Sequence, residues 1–117
     1  MPQFTPMECR HGEVLLQGQV ARPAGEGPFP AVLVMHSALG LLPRVLEVAA
    51  QLADLGYLAV ATDMYGKDAD IGTLESSSAH YLELAKTPEV LRGRTVAWRD
   101  AVAARDDVDA GRIAAIG

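Results

Sequence analysis

The spacing of hydrophobic residues changes several times along this chain, and the changes predict alternating strands and helices. Two short apolar-polar stretches, FTPMEC and VLLQGQVARP, flank RHGE, whose glycine allows a tight reversal. We therefore expect an antiparallel β-hairpin over the first 22 residues. A loop rich in glycine and proline then leads into AVLVMH, a continuous apolar run typical of a parallel strand buried on both faces.

A helix and a second buried strand are predicted next. Apolar residues recur at helical spacing from Leu42 to Ala53, with Pro43 in the first turn and Gly56 after the end. The short apolar run YLAVAT follows this helix. Residues 31–62 therefore form a predicted βαβ unit with two parallel strands.

Two more helices are predicted before a final strand. The segment TLESSSAHYLELAK has a helical pattern, although its serine cluster weakens it. A longer helix begins at Thr87-Pro88-Glu89, where a capping hydroxyl, a first-turn proline and an acid coincide. One face of that helix comprises Leu91, Thr95, Trp98, Ala101, Val102 and Arg105. We expect Trp98 to be buried. The segment RIAAIG then reads as a third parallel strand, so residues 1–117 are interpreted as one α/β domain.

Charge and cysteine content narrow the classes of function. The formal net charge of -5 gives no basic surface for nucleic acid or anionic lipid. No apolar run approaches the roughly 20 residues that cross a bilayer, and no signal peptide is evident, so we expect a cytoplasmic protein without a membrane partner. Cys9 is the single cysteine, which excludes an internal disulfide, and it is expected to pack as a small apolar residue.

A dinucleotide-binding fold is the first alternative to consider. The strand AVLVMH is followed by a turn, a helix and a strand ending in an acid, Asp63. However, a pyrophosphate needs several glycines so that backbone amides can approach it, whereas HSALGLL contains only Gly40. The sequence therefore argues against a nucleotide cofactor.

Three segments in order, FPAVLVMHSALGLLPRV, ADLGYLAVATDMYGK and VDAGRIAAIG, resemble the dienelactone hydrolase family of α/β-hydrolases. The resemblance implies a three-layer sheet with an N-terminal β-hairpin, parallel strands and crossover helices. In the family, the strand equivalent to RIAAIG runs into a nucleophile elbow of form G-x-C-x-G-G, of which Gly117 would be the first glycine. The Cys or Ser nucleophile, the acid and the catalytic histidine are therefore expected beyond Gly117.

The same resemblance assigns part of an active site to the loop HSALG. The backbone N–H of Ala38 would be one donor of the oxyanion hole. His36, Ser37, Leu39 and Tyr65 are expected to line the substrate pocket. Tyr65 also has a structural interpretation, because the segment DMYG serves to turn the chain. His36 has two open interpretations, a donor to the substrate or a histidine satisfied by a backbone carbonyl. Family members commonly carry a glutamate where this chain has Ser37, so general ester hydrolysis is the firmer expectation than dienelactone turnover.

Other candidate residues receive structural interpretations. Asp63 is expected to bond loop amides within DMYG. Arg92 and Arg94 offer a bidentate fork to a substrate carboxylate, but neighbouring basic residues on a helix are usually solvated. His11 and His80 have no partner visible in the sequence, so a surface position is expected for both.

The sequence thus indicates part of an ester or lactone hydrolase that acts on a small-molecule substrate through a covalent acyl-enzyme. No metal or organic cofactor is expected. Residues 1–117 alone should be inactive, because the nucleophile lies outside them. The alternative is a noncatalytic fragment or interaction module, since an exposed strand edge favours association with the missing half or a second copy.

Overall fold

A computed structural model describes residues 3–117 and contains one five-stranded mixed sheet with three helices. The elements, in chain order, are β1 (Phe4–His11), β2 (Val14–Ala21), β3 (Phe29–Val34), α1 (Pro43–Asp54), β4 (Leu58–Ala61), α2 (Leu74–Lys86), α3 (Pro88–Ala103) and β5 (Val108–Ile116). Across the sheet the strands run in the order β1-β2-β4-β3-β5. The α/β class, the hairpin and the order of elements agree with the sequence prediction.

Strand pairing confirms the three parallel strands. β1 and β2 pair antiparallel around the Gly12 turn, and β2 continues antiparallel onto β4. β3 lies between β4 and β5 and runs parallel to both. Val32 stands opposite Ala114, and Val34 stands opposite Ile116. The final apolar segment is therefore a strand alongside the buried central strand, as its composition indicated.

The first crossover helix begins and ends where the sequence predicts. Pro43 occupies the first turn of α1, where a missing N–H costs no hydrogen bond. Beyond the helix, Gly56 has a φ of 101°, a left-handed conformation that glycine adopts without strain. The buried residues of α1 are Ala49, Ala50 and Ala53, whose small side chains let the helix pack closely on the sheet.

The second and third helices follow the prediction with two corrections. Thr73 and Ser76 form a reciprocal capping box at the start of α2. Thr87 precedes α3 as expected, but its hydroxyl donates to the carbonyl of Glu83 and does not cap the new helix. Trp98 is fully buried, as predicted, whereas Leu91 is 42% exposed. Leu91 lies in the first turn of α3 and borders a cavity.

Two apolar layers form on opposite faces of the sheet. Leu33 contributes to the layer that packs with α3 and Trp98. Val32 and Val34 point to the other face, with the small residues of α1. This division follows from the alternation of side chains along a strand. It explains why the sequence of β3 is apolar throughout.

β5 is an edge strand and is largely exposed. It pairs with β3 on one side, and residues 114–116 are exposed, including Ile116 at 45%. Unpaired strand edges of this kind offer backbone groups to another strand. Within residues 3–117, no helix is both long enough and apolar enough to cross a bilayer.

Gly18 allows β2 to approach β4 and Trp98 closely, which leads to a testable prediction. A Cβ atom at this position would overlap the carbonyl oxygen of Ala61 and lie 3.1 Å from the Trp98 ring. We predict that Gly18→Ala lowers the free energy of unfolding by about 1 to 3 kcal/mol, because the backbone must shift. Urea denaturation followed by Trp98 fluorescence measures this change.

Gly111→Ala is the matched control, since its added Cβ meets only the exposed Asp109 carboxylate at 3.4 Å. That variant should stay within about 0.5 kcal/mol of the parent. Equal stability of the Gly18 and Gly111 variants would show that the β2–β4 contact is not restrictive.

Candidate functional site

The candidate site lies at the carboxyl ends of β3 and β4, where open α/β sheets bind ligands. An open cavity of about 460 Å³ separates the loop after β3 from the helices α2 and α3. It is lined by Met35, His36, Ser37, Ala38, Met64, Tyr65, Tyr81, Leu84, Ala85, Leu91 and Thr95. Four residues expected from the sequence, His36, Ser37, Ala38 and Tyr65, are therefore brought together at one cavity.

Leu39 faces a different space from the other predicted pocket residues. It is 43% exposed and lines a second cavity of about 520 Å³, on the α1 side of the same loop. His36 and Ser37 border both cavities. The loop after β3 thus separates the two cavities. The cavity on the α1 side is also lined by Ile116 and Gly117 from the end of β5.

Both ring nitrogens of His36 are hydrogen-bonded to backbone groups. Nε2 lies 3.0 Å from the amide nitrogen of Met64, and Nδ1 lies 2.7 Å from the carbonyl oxygen of Ser37. Because the Met64 N–H donates, Nε2 must be unprotonated, and Nδ1–H therefore donates to Ser37. Burial lowers the pKa of His36, although the Ser37 carbonyl and Asp63 oppose that change. His36 is accordingly a neutral bridge between two loops.

Tyr65 joins the same two loops at a second point. Its hydroxyl donates to the carbonyl oxygen of Ala38 at 2.8 Å. Its ring meets the His36 ring edge-on, with 4.7 Å between centroids, and stacks on His80 at 5.3 Å. Burial raises the pKa of Tyr65, so its hydroxyl remains a donor at neutral pH.

Several backbone amides of the loop after β3 have no acceptor within the described residues, and the Ala38 N–H is one of them. The Ser37 carbonyl accepts from Gly40 N–H at 3.0 Å as well as from His36, and Ser37 Oγ accepts from Leu39 N–H at 3.3 Å. Among the described residues, no acceptor takes the Ala38 N–H. In a trans peptide this N–H points away from the Ser37 carbonyl. Ala38 is one of the residues that line the cavity, and its N–H has no acceptor within the described residues.

Asp63 holds the loop after β4, as the sequence predicts. Its side chain accepts from the backbone N–H groups of Tyr65 at 2.9 Å, Gly66 at 3.1 Å and Gln17 at 3.2 Å. Its own carbonyl oxygen accepts from the Trp98 indole N–H at 2.8 Å. Asp63 is 6% exposed, so these bonds replace the water it loses.

The two histidines expected at the surface have neighbours in the fold. His80 is half-buried against Tyr65, and His11 packs across Gly93 of α3. Sequence reasoning missed both because the contacts join residues from separate elements. Arg94 is also partly buried and donates to the Met64 carbonyl at 2.7 Å, whereas Arg92 is exposed. Arg94 thus supports the loop after β4.

The contribution of α2 to the cavity was missing from the sequence prediction. Tyr81, Leu84 and Ala85 share one helical face through their spacing, and all three line the cavity. That spacing was readable in the sequence. The serine-rich start of the helix obscured it, because serine patterns favour caps and turns.

Cys9 is outside the site and is not activated. It lies on β1 and packs against the apolar layer that contains Trp98. Burial, assisted by the negative charge of Asp63, raises the pKa of the Cys9 thiol to about 11. Nucleophilic cysteines have lowered pKa values, so Cys9 acts as the small apolar residue that the sequence indicates.

The neutral bridge at His36 makes stability depend on pH. The folded-state pKa lies below the ordinary value of 6.5, so the unfolded chain binds the proton more readily. The contribution of His36 is therefore fully present above pH 6.5 and is lost as the pH falls from there through the folded pKa. We predict a falling urea midpoint between about pH 7 and pH 5.

A variant that does not titrate isolates the contribution of His36. Asp63 and Tyr65 face His36 from the loop after β4. Asp107 is elsewhere, beside Arg105, which lowers its pKa, so its contribution to stability is lost at more acidic pH than that of His36. His36→Gln retains a donor and an acceptor without titrating, so its urea midpoint should change less over the same interval. Parallel curves for the two proteins would contradict the assignment.

Comparisons with known proteins agree with this geometry. A profile of the dienelactone hydrolase family matches residues 16–117. The solved structure of the dienelactone hydrolase-like promiscuous phosphotriesterase P91, from metagenomic libraries, is 33% identical, with a TM-score of 0.90 over 98% of this chain. Another solved protein, m3DLH, is 30% identical with the same TM-score and the same coverage.

The chain spans about half the length of these solved proteins, 48% in each case. A Methylorubrum extorquens protein provisionally named a carboxymethylenebutenolidase is 41% identical over 54 residues, which are 46% of this chain and 19% of that protein. The match of the family profile covers β2 from Leu16 onward and every element after it. This chain belongs to the dienelactone hydrolase family, whose hydrolase fold it carries in part.

Proposed function

We propose that this chain supplies one half of the active site of a carboxylic-ester or lactone hydrolase. The observation that carries the proposal is the unused Ala38 N–H at the cavity after β3. In acyl transfer, negative charge develops on the carbonyl oxygen of the substrate, and a preorganised backbone N–H stabilises it. Membership of a hydrolase family supports the same assignment.

The nucleophile in this proposal is a Cys or Ser beyond Gly117. Ile116 already lies beside the loop after β3, because its carbonyl accepts from Met35 N–H at 2.8 Å. Gly117 approaches the Met35 side chain so closely that an added Cβ would lie 2.8 Å from Met35 Cβ. A side chain mounted just after this strand would stand at the same edge as Ala38, where nucleophile elbows place their reactive atom.

The chemistry proceeds in two steps. The nucleophile attacks the carbonyl carbon, the carbonyl oxygen takes the negative charge beside Ala38 N–H, and the ester C–O bond breaks as the leaving alkoxide takes a proton. Water then attacks the acyl-enzyme, releasing the carboxylic acid and restoring the nucleophile. The proton carrier would be a histidine from outside the chain, since both nitrogens of His36 are already engaged.

Neither Cys9 nor Ser37 is an activated nucleophile, which supports an inactive chain. The raised pKa of the Cys9 thiol opposes attack, and Cys9 is on a strand remote from the cavity lining. Ser37 Oγ is hydrogen-bonded to Leu39 N–H, while the adjacent His36 contacts the Ser37 carbonyl and not its hydroxyl. Neither arrangement is a nucleophile–base pair.

We expect the portion of the substrate that contacts this cavity to carry no charge. The described lining of the cavity contains no Asp, Glu, Lys or Arg, and His36 is neutral. Small neutral esters suit such a lining, because a carboxylate would lose its hydration without gaining a cation. Neutral phosphotriesters are a second candidate class, favoured by the same lining and by the likeness to the phosphotriesterase P91.

A role as an interaction module is the alternative of a different class. The exposed outer edge of β5 supports it, since a second chain could add a strand beside residues 113–116. Size-exclusion chromatography separates the two cases. A monomer of 12.4 kDa at all concentrations would contradict association through this edge.

Activity measurements test the main proposal. We predict that the protein purified from its natural source, at its natural length, hydrolyses p-nitrophenyl acetate, whereas recombinant residues 1–117 show only the buffer rate. The reason is that the oxyanion donor is present but the attacking atom is not. Turnover by residues 1–117, retained after Cys9→Ser and repeated purification, would contradict the proposal, as would inactivity of the natural protein on every neutral ester tested.

A substitution at Ala38 tests the donor itself. In the active natural-length protein, Ala38→Pro removes the N–H and should lower kcat by about 100-fold to 1000-fold. Ala38→Gly is the matched control, because it alters the side chain and retains the N–H, and it should stay within a few-fold of the parent. Equal losses in the two variants would show that the backbone donor has no special role.

A further inference from the structure

Three hydrogen bonds join the loop after β3 to the loop after β4, all with donors from the second loop, and two of them lie close to Ala38 along the chain. Met64 N–H donates to His36 Nε2 at 3.0 Å, and the Tyr65 hydroxyl donates to the Ala38 carbonyl at 2.8 Å. The first contact ends on the residue two places before Ala38, and the second ends on Ala38 itself. The two contacts therefore enclose the single amide that the proposed reaction uses.

We infer that His36 and Tyr65 are positioning residues, which hold the Ala38 N–H in the direction required by the substrate oxygen. This inference rests on the proposed function for its catalytic meaning. Its geometric content, a loop held from both sides, stands on the hydrogen bonds alone. Neither side chain needs to touch the substrate for the effect.

The orientation of the amide follows from the planarity of the peptide bond. The Ser37 carbonyl and the Ala38 N–H belong to one rigid plane and point in opposite directions. That carbonyl is held by His36 Nδ1–H at 2.7 Å and by Gly40 N–H at 3.0 Å. Rotation of the plane would break both bonds, so the Ala38 N–H is kept aimed away from them.

The next peptide plane is held as well. Its carbonyl is that of Ala38, which accepts from Tyr65, and its N–H is that of Leu39, which donates to Ser37 Oγ. The backbone is thus fixed on both sides of the Ala38 Cα. A donor that does not reorganise during the reaction stabilises charge more effectively than a mobile one.

His36 has a second effect through the carbonyl that it holds. A hydrogen bond to a peptide carbonyl polarises the whole amide, which makes the N–H of that same unit a better donor. The Ser37–Ala38 unit receives two such bonds. Loss of these two hydrogen bonds would therefore make the Ala38 N–H a weaker donor and would also allow it to rotate away from the required direction.

Neutral imidazole suits this position because it carries a donor and an acceptor at opposite sides of a rigid ring. Lysine and arginine have no acceptor for Met64 N–H. The placement of Tyr65 depends in turn on Asp63, which accepts from the Tyr65 N–H at 2.9 Å. The chain of contacts runs from the buried Asp63 through Tyr65 to the Ala38 peptide.

Nuclear magnetic resonance of the 117-residue chain tests the geometry without requiring activity. We expect the His36 imidazole to show the Nδ1–H tautomer in its ¹⁵N spectrum at pH 7.5. We expect Tyr65→Phe and His36→Ala to shift and broaden the Ala38 amide signal, while amide exchange in the core of β2 and β4 stays unchanged. His36→Gln should restore most of the Ala38 signal.

Tyr57→Phe is the matched control, because Tyr57 lies before β4 at the opposite end of the sheet. It should leave the Ala38 amide unaffected. An Nε2–H tautomer at His36, or an Ala38 signal that is identical in the parent, Tyr65→Phe and His36→Ala, would overturn the inference. If the spectrum of His36→Ala loses its signal dispersion throughout, that variant is unfolded. The near-isosteric Tyr65→Phe then decides the test by itself.

Kinetics of the natural-length protein then test the catalytic meaning. Tyr65→Phe should lower kcat by about 10-fold or more with little change in KM, because a misdirected donor weakens the transition state specifically. An unchanged kcat together with a changed Ala38 signal would overturn the positioning role. An inactive parent with the expected spectra would refute the proposed function and leave the held loop intact, so the two failures are distinguishable.

Discussion

The buried carboxylate of Asp63 is the interaction on which the site depends. Asp63 lies two residues after the end of β4 and accepts three backbone N–H groups, one from β2 and two from its own loop. Its carbonyl oxygen accepts the indole N–H of Trp98, which connects the same residue to α3. A sheet strand, a helix and a loop thus meet at one residue, and a buried group with that many partners is costly to displace.

The contacts of Asp63 decide where the next residues lie. Met64 and Tyr65 come immediately after it. The backbone N–H of Met64 donates to His36, and the hydroxyl of Tyr65 donates to the carbonyl of Ala38. Arg94 of α3 adds a donor to the Met64 carbonyl from the other side. The candidate oxyanion donor is therefore positioned by contacts that begin in the core. This is a common physical arrangement, since loops perform chemistry only when a rigid scaffold orients them.

The fold also explains how this chain can present part of a candidate site. β3 and β5 end side by side, so the loop after β3 and the residues after β5 share one edge of the sheet. The donor and the proposed nucleophile follow different strands, β3 and β5, and three helices and β4 lie between these strands along the chain. Because β5 is the edge strand of the sheet, its outer edge is exposed, and Ile116 is 45% exposed.

The sequence by itself determined the elements and their order. Continuous apolar runs in β3 and β4, Pro43 at the start of α1 and Gly56 after its end are local signals that depend on backbone conformation and burial pattern. The loop HSALG could be located for the same reason, because it directly follows the apolar strand. The resemblance to the family implies Ala38 as the donor within that loop.

Tertiary structure alone decided what the side chains at the site do. His36 could have been a substrate-facing donor, but Met64 and Ser37 occupy its two nitrogens, and Met64 is 28 residues away in the chain. His80 and Tyr65 are 15 positions apart and stack because α2 folds over the loop after β4. Local pattern specifies which segments are strands or helices. Which side chains become partners depends on how those segments pack in three dimensions. The periodicity of apolar residues does not specify that packing.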